Sequence, residues 1–377
     1  MSFWIDFELL ALVGFFLFVL IVIINQRKNV EFKYGIVLLK YKRVCKKIES
    51  FIEKNKKILT VFGYLSIAIS LSLGVFGFFY ILSCAIFSQA CFAIVLPTAA
   101  GYQIPGPVVS VPLLMWLTIL PVLLIPHEFS HALYSLYSKI KIKSYGLVFL
   151  FLLPIGAFVD PDMKRFKKLE LKKKLFILSI GSFSNFLTFL LLLLLLYLLN
   201  SIVVVKIDYD VIEGSPAFKV NLSGAIERVN NIRINNLIEL IKILNQTKPN
   251  QTIMVETENG VFEVKLSEHE NIRGRGFLGI TNITQKLEYD FFGFRFPVGW
   301  EVKYLIFLAT ISLGVAMVNM LPLKPLDGGL VLEEILKKLL GSEKAKQLIS
   351  YISLFVVGIL LYNLYLTTKF GFPFKFF

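Results

Sequence analysis

The sequence predicts a polytopic α-helical membrane protein with about six transmembrane helices, a re-entrant β-hairpin and one inserted small α+β domain outside the membrane. The chain has 377 residues, of which 56% are hydrophobic and 36 are phenylalanine. Basic residues crowd the segments between apolar runs, with 11 Lys/Arg in 26–57 and 10 in 139–174, whereas 84–110 has none. This bias predicts that the basic loops are cytoplasmic. It also argues against a nucleic-acid partner, which the net charge of +14 alone would suggest.

The first part of the chain, 1–110, is predicted to hold two transmembrane helices and a cytoplasmic basic loop. Residues 8–25 and 58–83 are apolar and long enough to span a bilayer, and the first span is expected to be a retained anchor rather than a signal peptide. Residues 30–57 mix lysine with apolar side chains, which favours a helix on anionic headgroups or a solvated charged linker. The uncharged segment 88–110 is expected to dip partly into the bilayer. Cys84 and Cys91 lie just before and within this segment. The sequence allows them either to form a disulfide or to remain as buried free thiols.

The next part, 111–199, is predicted to contain two spans, 111–138 and 175–199, separated by an apolar stretch. That stretch, 146–159, is too short to span and has basic residues on both sides. It must therefore enter and leave by one face, which predicts a re-entrant hairpin; a peripheral amphipathic loop is the alternative. Asn185 lies in the second span, where an asparagine either joins helices by hydrogen bonds or faces a functional cavity.

The span 111–138 carries the sequence His127-Glu128-Phe129-Ser130-His131. On a helix, positions i and i+4 share a face, so both imidazoles are able to reach one metal ion. Glu128 projects beside that ion and is placed to hold the proton of a bound water. Ionisable groups within hydrocarbon are costly and usually functional, so the setting strengthens a short motif. The spacing from Lys139 places the metal about 12–18 Å below the cytoplasmic surface.

Residues 200–302 lose the long apolar runs and balance their charges, with 11 Lys/Arg and 13 Asp/Glu. Alternating strands at Thr252–Thr257 and Val261–Leu266 flank Asn259-Gly260, which predicts a hairpin. Residues 236–245 have helical spacing. The segment is therefore predicted to be a small α+β domain, which the topology places outside.

The last part, 303–377, is predicted to contain spans 303–321 and 347–367, and it completes the core begun in 111–199. Between the spans the chain reads Asn319-Met-Leu-Pro-Leu-Lys-Pro-Leu-Asp327-Gly-Gly. The two prolines stop the helix, and the two glycines allow turns that other residues resist. Because a catalytic zinc uses three protein ligands and one open position, Asp327 is the best available third ligand.

These features together resemble the site-2 protease family of intramembrane zinc metalloproteases. The resemblance covers roughly 111–329 and lies in H-E-F-S-H at 127–131, N-x-L-P at 319–322 and L-D-G-G at 326–329. The intervening domain resembles a PDZ domain through Gly214-Ser-Pro-Ala217 and the stretch 225–231.

The resemblance implies zinc held by His127, His131 and Asp327, with Glu128 as general base. It also implies that Asn185 and the hairpin line the substrate path. The remaining substrate-binding residues that it suggests are Gly156, Phe158 and Asn319.

The expected function is hydrolysis of a peptide bond within or near the transmembrane segment of a membrane-protein substrate. The expected location is the cell membrane, with the inserted domain outside and the active site open toward the cytoplasm. One alternative is a non-catalytic membrane binding or scaffold protein with a structural zinc site, although Glu128 would then have no task. A metal transporter is a further alternative, but it would require ligand clusters at several depths.

Overall fold

The computed structural model describes residues 2–33, 35–41, 46–98, 103–291 and 294–373. The chain divides into two compact units. The membrane unit contains residues 1–192 and 306–377, and the inserted unit contains residues 193–305.

The membrane unit begins with three α-helices and two strand pairs before the third long helix. In chain order these are α1 (Ser2–Asn25), β1 (Val30–Lys33), β2 (Ile36–Tyr41), α2 (Lys46–Lys54), α3 (Lys56–Ile86), β3 (Ile94–Thr98) and β4 (Val108–Pro112). They are followed by α4 (Leu113–Tyr137), β5 (Ile142–Leu150), β6 (Leu153–Pro161), α5 (Met163–Lys167) and α6 (Leu171–Ser201).

The remaining elements are short strands and helices, then three longer helices. The short elements are β7 (Val203–Val211), α7 (Pro216–Lys219), β8 (Ile226–Val229), β9 (Ile232–Arg233), α8 (Leu237–Asn245), β10 (Thr252–Thr257), β11 (Gly260–Lys265), β12 (Ser267–His269), β13 (Ile272–Phe277), β14 (Ile280–Phe291) and β15 (Phe294–Pro297). The chain then continues with α9 (Trp300–Asn319), α10 (Asp327–Leu340) and α11 (Ser342–Phe370).

Five helices in the described part of the chain are long and apolar enough to cross a membrane, namely α3, α4, α6, α9 and α11. Each coincides with a predicted span, and together they confirm a polytopic helical membrane protein. The sixth predicted span, 8–25, lies within α1. A transmembrane role for α1 stays a prediction.

The hairpin predicted at 146–159 is part of a larger antiparallel sheet with the strand order β1-β2-β5-β6. Strands β5 and β6 pair from Ile142 opposite Pro161 to Leu150 opposite Leu153. Strand β6 lies at the edge of this sheet, where a proline such as Pro154 costs no ladder hydrogen bond on the outer side. The re-entry of the hairpin into the bilayer stays a prediction.

The expectation of a helix or a charged linker throughout 30–57 is wrong for its first part, because 30–41 contains strands β1 and β2. Gly35 adopts φ +80 between them. Val37 and Leu39 alternate with more exposed neighbours and are buried with Phe149 of β5 and Val19 of α1. A period of two and pairing with a strand about 110 residues away therefore outweigh the local helical signal. Only Lys46–Lys54 is helical before α3 begins.

Segment 88–110 contains the parallel strands β3 and β4. Cys84 and Cys91 form a disulfide and are not free thiols. Thr367 of α11 donates from Oγ1 to the Phe92 carbonyl at 2.7 Å. The loop after α3 is thereby attached to both α3 and α11.

Helix α3 packs directly on the helices of the predicted core. Ser66 Oγ lies 2.9 Å from Ser179 Oγ of α6, and Ser70 Oγ donates to the Ser179 carbonyl at 2.8 Å. A buried apolar cluster including Leu59 and Phe176 lies alongside. In an apolar surrounding such hydrogen bonds between helices add to close packing, so the amino-terminal part is built into the membrane unit.

The inserted unit is an α+β structure around one main sheet with the strand order β11-β10-β8-β7-β14-β15, with β9 paired to β8. The predicted hairpin is confirmed, since Thr257 pairs with Gly260 at its turn. The predicted helix at 236–245 is confirmed as α8, whose first turn is capped by Asn236. The core of the inserted unit includes Ile207, Leu240 and Ile253, all fully buried. The PDZ-like assignment stays a prediction.

Candidate metal centre

Three potential metal ligands from distant parts of the chain meet in the membrane unit. His127 and His131 lie one turn apart on α4, and their Nε2 atoms are 3.1 Å apart. Asp327, the first residue of α10, places Oδ2 at 3.4 Å from His127 Nε2 and 3.3 Å from His131 Nε2. His127 is buried and the other two are partly buried, as expected for a cluster held inside the protein.

This triangle has the dimensions of a face of a tetrahedral metal site. Bonds of about 2.0–2.1 Å at tetrahedral angles put neighbouring ligand atoms about 3.3 Å apart. Asp327 Oδ2 is buried and accepts no hydrogen bond. A buried carboxylate oxygen without a donor is costly, and a cation among the three atoms would remove that cost. The residues present therefore fit a metal ion.

Helix α6 presents one face to the two imidazoles. Ile177, Gly181 and Asn185 follow at intervals of four residues, which places them on one side of the helix. His131 Nδ1 lies 2.6 Å from the Ile177 carbonyl, to which it donates, so its Nε2 is left to bind a metal. Asn185 is almost fully buried and its side-chain amide lies 3.3 Å from His127 Nδ1. If the Asn185 amide is turned so that its oxygen and nitrogen exchange places, its Oδ1, which has no other partner, accepts a hydrogen bond from a protonated Nδ1 of His127.

Gly181 permits the close approach of α6 to the imidazole pair. A Cβ at this position would lie 2.6 Å from His127 Cε1 and 2.7 Å from His127 Nε2, and closer still to His131 Nε2. Ordinary carbon contacts begin near 3.5 Å. No residue with a side chain fits here without displacing a ligand.

The segment 320–326 folds tightly against the start of α10 and thereby fixes Asp327. A Cβ on Gly328 would lie 2.6 Å from the Leu321 carbonyl oxygen, and one on Gly329 would lie 2.5 Å from the Leu323 carbonyl carbon. The L-D-G-G sequence therefore needs its glycines for packing of backbone on backbone. Asp327 also occupies the first turn of a helix, where the macrodipole favours an anion.

Five charged residues around α10 form an ion-pair cluster. Glu333 pairs with Lys324 at 2.8 Å and with Lys337 at 3.2 Å, and Glu334 pairs with Lys174 of α6 at 2.8 Å and with Lys337 at 2.7 Å. Burial raises the pKa of Glu333, but hydrogen bonds from Lys324 and Lys337 outweigh it and hold that pKa below its ordinary value. The cluster ties α10 to α6 and to the segment before Asp327.

The three ligands line a cavity of about 540 Å³ that also contains Glu128. Val159 of β6 lines the same cavity. Charged side chains line the same cavity, which provides a polar path for water; they are Lys167, Glu333, Glu334, Lys337 and Lys346. A carboxylate, a candidate metal and water are thus able to meet in one space.

Of the other residues predicted from the sequence, two lie at the metal centre and two do not. Asn185 contacts His127, and Phe158 lines the cavity of the metal centre. Gly156 lies on β6 opposite Val148 and does not line that cavity. Asn319 ends α9 half-buried, and among the described residues no hydrogen bond joins its side chain to the three ligands.

Sequence reasoning indicated that the small residues at 181–185 permit close helix contact, but it did not connect Gly181 with the imidazoles. It missed the Ile177 carbonyl and the ion-pair cluster. The interval of four residues between Gly181 and Asn185 was a usable signal, since it places a glycine and an amide on one helix face. The spacing of Lys337 from Glu333 also predicts a helical ion pair. The contributions of Lys174 and Lys324 depend on the fold and have no local signal.

The chain is similar over most of its length to an uncharacterized protein of Methanocaldococcus jannaschii, with 26% identity over 338 residues that cover 85% of this chain and 83% of that protein. The model of peptidase family M50 matches residues 115–360, which include α4, α6, α9, α10 and all three ligands. Membership of this family implies intramembrane metalloprotease activity. With more than half of its length matched and a His–His–Asp group close enough to bind a metal, the chain belongs to peptidase family M50, the site-2 protease family.

Proposed function

We propose that this chain is a zinc metalloendopeptidase that hydrolyses a peptide bond within or near the transmembrane segment of a membrane-protein substrate. The observation that carries the proposal is the position of Glu128 in the same cavity as the His–His–Asp group. A site that only braced helices would have no use for a fourth ionisable residue beside an open coordination position.

Zinc is the metal that suits this donor set. Two imidazole nitrogens and one carboxylate oxygen are a recurrent catalytic zinc combination, and the separations between the ligand atoms match a tetrahedral ion. The Ile177 carbonyl fixes the ring of His131, and Asn185 does the same for His127. A bound zinc ion would supply the positive charge that polarises the scissile carbonyl and lowers the pKa of a water molecule toward about 7.

Glu128 is the proposed general base. It follows His127 directly on α4, so its carboxylate projects beside the ligand group and not into it. In this role it takes a proton from the attacking water and then passes it to the leaving amine. Strand β6 packs against α4, and its residue Val159 lines the same cavity as the carboxylate.

Strand β6 is the proposed docking edge for an unwound substrate. A transmembrane helix hides its amides in its own hydrogen bonds, so it must open before attack. β6 lies at the edge of its sheet and packs against α4, which carries Glu128. Addition of the opened segment as a further strand would satisfy its backbone next to the base. Gly156 and Phe158 belong to this strand, and Asn185 and Asn319 complete the proposed substrate-binding set.

The proposed partners are a transmembrane substrate and the lipid bilayer, with no nucleic acid. The lysine-rich segments favour a cell-membrane protein with the cavity of the metal centre open toward the cytoplasm. The inserted unit would then lie outside, as a docking module or size filter for substrates. Its PDZ-like character belongs to this proposal.

A non-catalytic scaffold with a structural zinc site is the second candidate, and Glu128 distinguishes the two. A metal transporter is disfavoured, since within the described ranges of the chain a single group of ligands is close enough to bind a metal. The deciding experiment is cleavage of a helical transmembrane peptide by the purified full chain in detergent with one equivalent of zinc. Glu128→Gln is expected to keep zinc and lose cleavage. Undiminished turnover by Glu128→Gln, or no cleavage by the zinc-loaded wild type, would refute the proposal.

A further inference from the structure

A second cavity of about 450 Å³ adjoins the cavity of the metal centre. Glu128 and Phe158 line both cavities, whereas the three ligands line the cavity of the metal centre alone. The walls of the second cavity come from β2, α2, α4 and the hairpin of β5 and β6. We call it the apolar cavity.

The chemistry of the apolar cavity differs from that of the polar one. Among the described residues that line it, Glu128 is the single charged side chain. Three of the residues that line the cavity are small, namely Ala132, Gly146 and Ala157, and larger apolar side chains such as Ile48 and Leu136 line the rest of it. A cavity of this kind favours an apolar guest and excludes a charged one.

The apolar cavity lies next to an apolar surface of the membrane unit. Ile125 and Phe129, one turn apart on α4, both line the cavity and are 59% and 49% exposed. Leu147 of β5 also lines it and is 41% exposed. In a membrane-spanning chain such side chains meet hydrocarbon or an apolar partner, so a segment that arrives from the bilayer reaches this cavity without crossing a polar surface.

On the basis of the proposed function, we propose that the apolar cavity receives a large apolar side chain, of leucine or phenylalanine size, from the residue next to the scissile bond. A carbonyl attacked with the help of Glu128 must lie within about 3–4 Å of the attacking water. The cavity begins at Glu128 itself, so the adjacent side chain of the substrate falls into it. A strand added to β6 points alternate side chains to opposite faces, and one of these faces carries Ala157.

The proposal gives the amino-terminal part of the chain a role in specificity. Ile48 of α2 and Tyr41 of β2 line the apolar cavity, although both lie before the region that the family model matches. The same elements are attached to the hairpin through the sheet order β1-β2-β5-β6. Substrate selection by this chain therefore depends on residues outside the shared core.

The experiment uses the full chain with zinc and a transmembrane peptide whose cleavage site has been mapped by mass spectrometry. The residue next to the cut is changed to alanine, leucine, phenylalanine or aspartate. The wild type is expected to cleave the phenylalanine or leucine peptide with kcat/KM at least about tenfold above the alanine peptide, and to cleave the aspartate peptide least.

Two substitutions change the size of the cavity, and one is a control. Ala157→Leu fills it and is expected to bring the phenylalanine-to-alanine ratio toward one. Ile48→Ala enlarges it from α2 and is expected to raise the ratio for the phenylalanine peptide over the leucine peptide. Leu354→Phe adds bulk at an exposed position of α11 that does not line the cavity, and it is expected to keep the wild-type ratio.

The outcomes distinguish a failure of this proposal from a failure of the proposed function. If the wild type cleaves all four peptides equally, or if both Ala157→Leu and Ile48→Ala keep its ratios, the cavity does not hold the substrate side chain. Altered retention of lipid by Ala157→Leu with unchanged ratios would assign the cavity to an acyl chain and overturn the proposal. If Ala157→Leu is inactive on every peptide, the ratios of Ile48→Ala alone decide. Failure of the zinc-loaded wild type to cleave any peptide refutes the proposed function instead.

Discussion

Gly181→Ala is predicted to abolish high-affinity metal binding while the fold is kept. The added Cβ would lie 2.6 Å and 2.7 Å from two ring atoms of His127. Because an ordinary contact needs about 3.5 Å, the ring or α6 must move by about 0.9 Å or more. Metal–ligand distances tolerate only about ±0.2 Å. A displacement of this size at a ligand is expected to lower zinc affinity at least about 100-fold.

The assay is competition for zinc between the metal-free protein in detergent and a chromophoric chelator. Gly358→Ala is the matched control, because its Cβ would have no neighbour within 4 Å and it too lies inside a long helix. Size-exclusion profiles and melting temperatures close to those of the wild type separate loss of the metal from loss of the fold. Wild-type affinity in Gly181→Ala would show that the imidazoles do not bind a metal next to α6.

The remaining predictions concern residues that support the site. Asn185→Leu leaves His127 Nδ1 without its partner, so zinc affinity should fall about 10–100-fold in the same competition assay; unchanged affinity would contradict the pairing at 3.3 Å. Glu333→Gln should lower the melting temperature in detergent at neutral pH. The pKa of Glu333 in the folded protein lies below its ordinary value. The difference in melting temperature between the wild type and Glu333→Gln should therefore shrink as the pH falls below about 4.3, and a difference that grows on acidification would contradict this prediction. Cys91→Ser should destabilise the non-reduced protein by about 2–3 kcal/mol for so short a loop, while zinc content stays unchanged.

The sequence was sufficient for the parts of the site that depend on local spacing. His127 and His131 are four residues apart on one helix, so their convergence needs only helical geometry. Asp327 was inferred from chemistry, because it is the carboxylate of an irregular segment at the right depth. The pairing of Cys84 with Cys91 could not be decided, since either state of the thiols was compatible with the sequence.

Features that depend on distant parts of the chain were missed or wrong. Strands β1 and β2 have lysines that suggest a charged surface helix, and only pairing with β5 reveals them as strands. The closeness of Gly181 to the imidazoles depends on the approach of α6 to α4. The pair of Lys174 with Glu334 joins residues 160 positions apart, and no local pattern predicts such a contact.

The two imidazoles of α4 and the carboxylate of α10 are placed to hold one metal ion between them. The amount of zinc bound per chain is measured by elemental analysis of the wild type and Asp327→Ala purified in parallel. We expect close to one zinc per wild-type chain and almost none in Asp327→Ala. A full zinc complement in Asp327→Ala would contradict this expectation, because the ion would then be held without the ligand that joins the two helices.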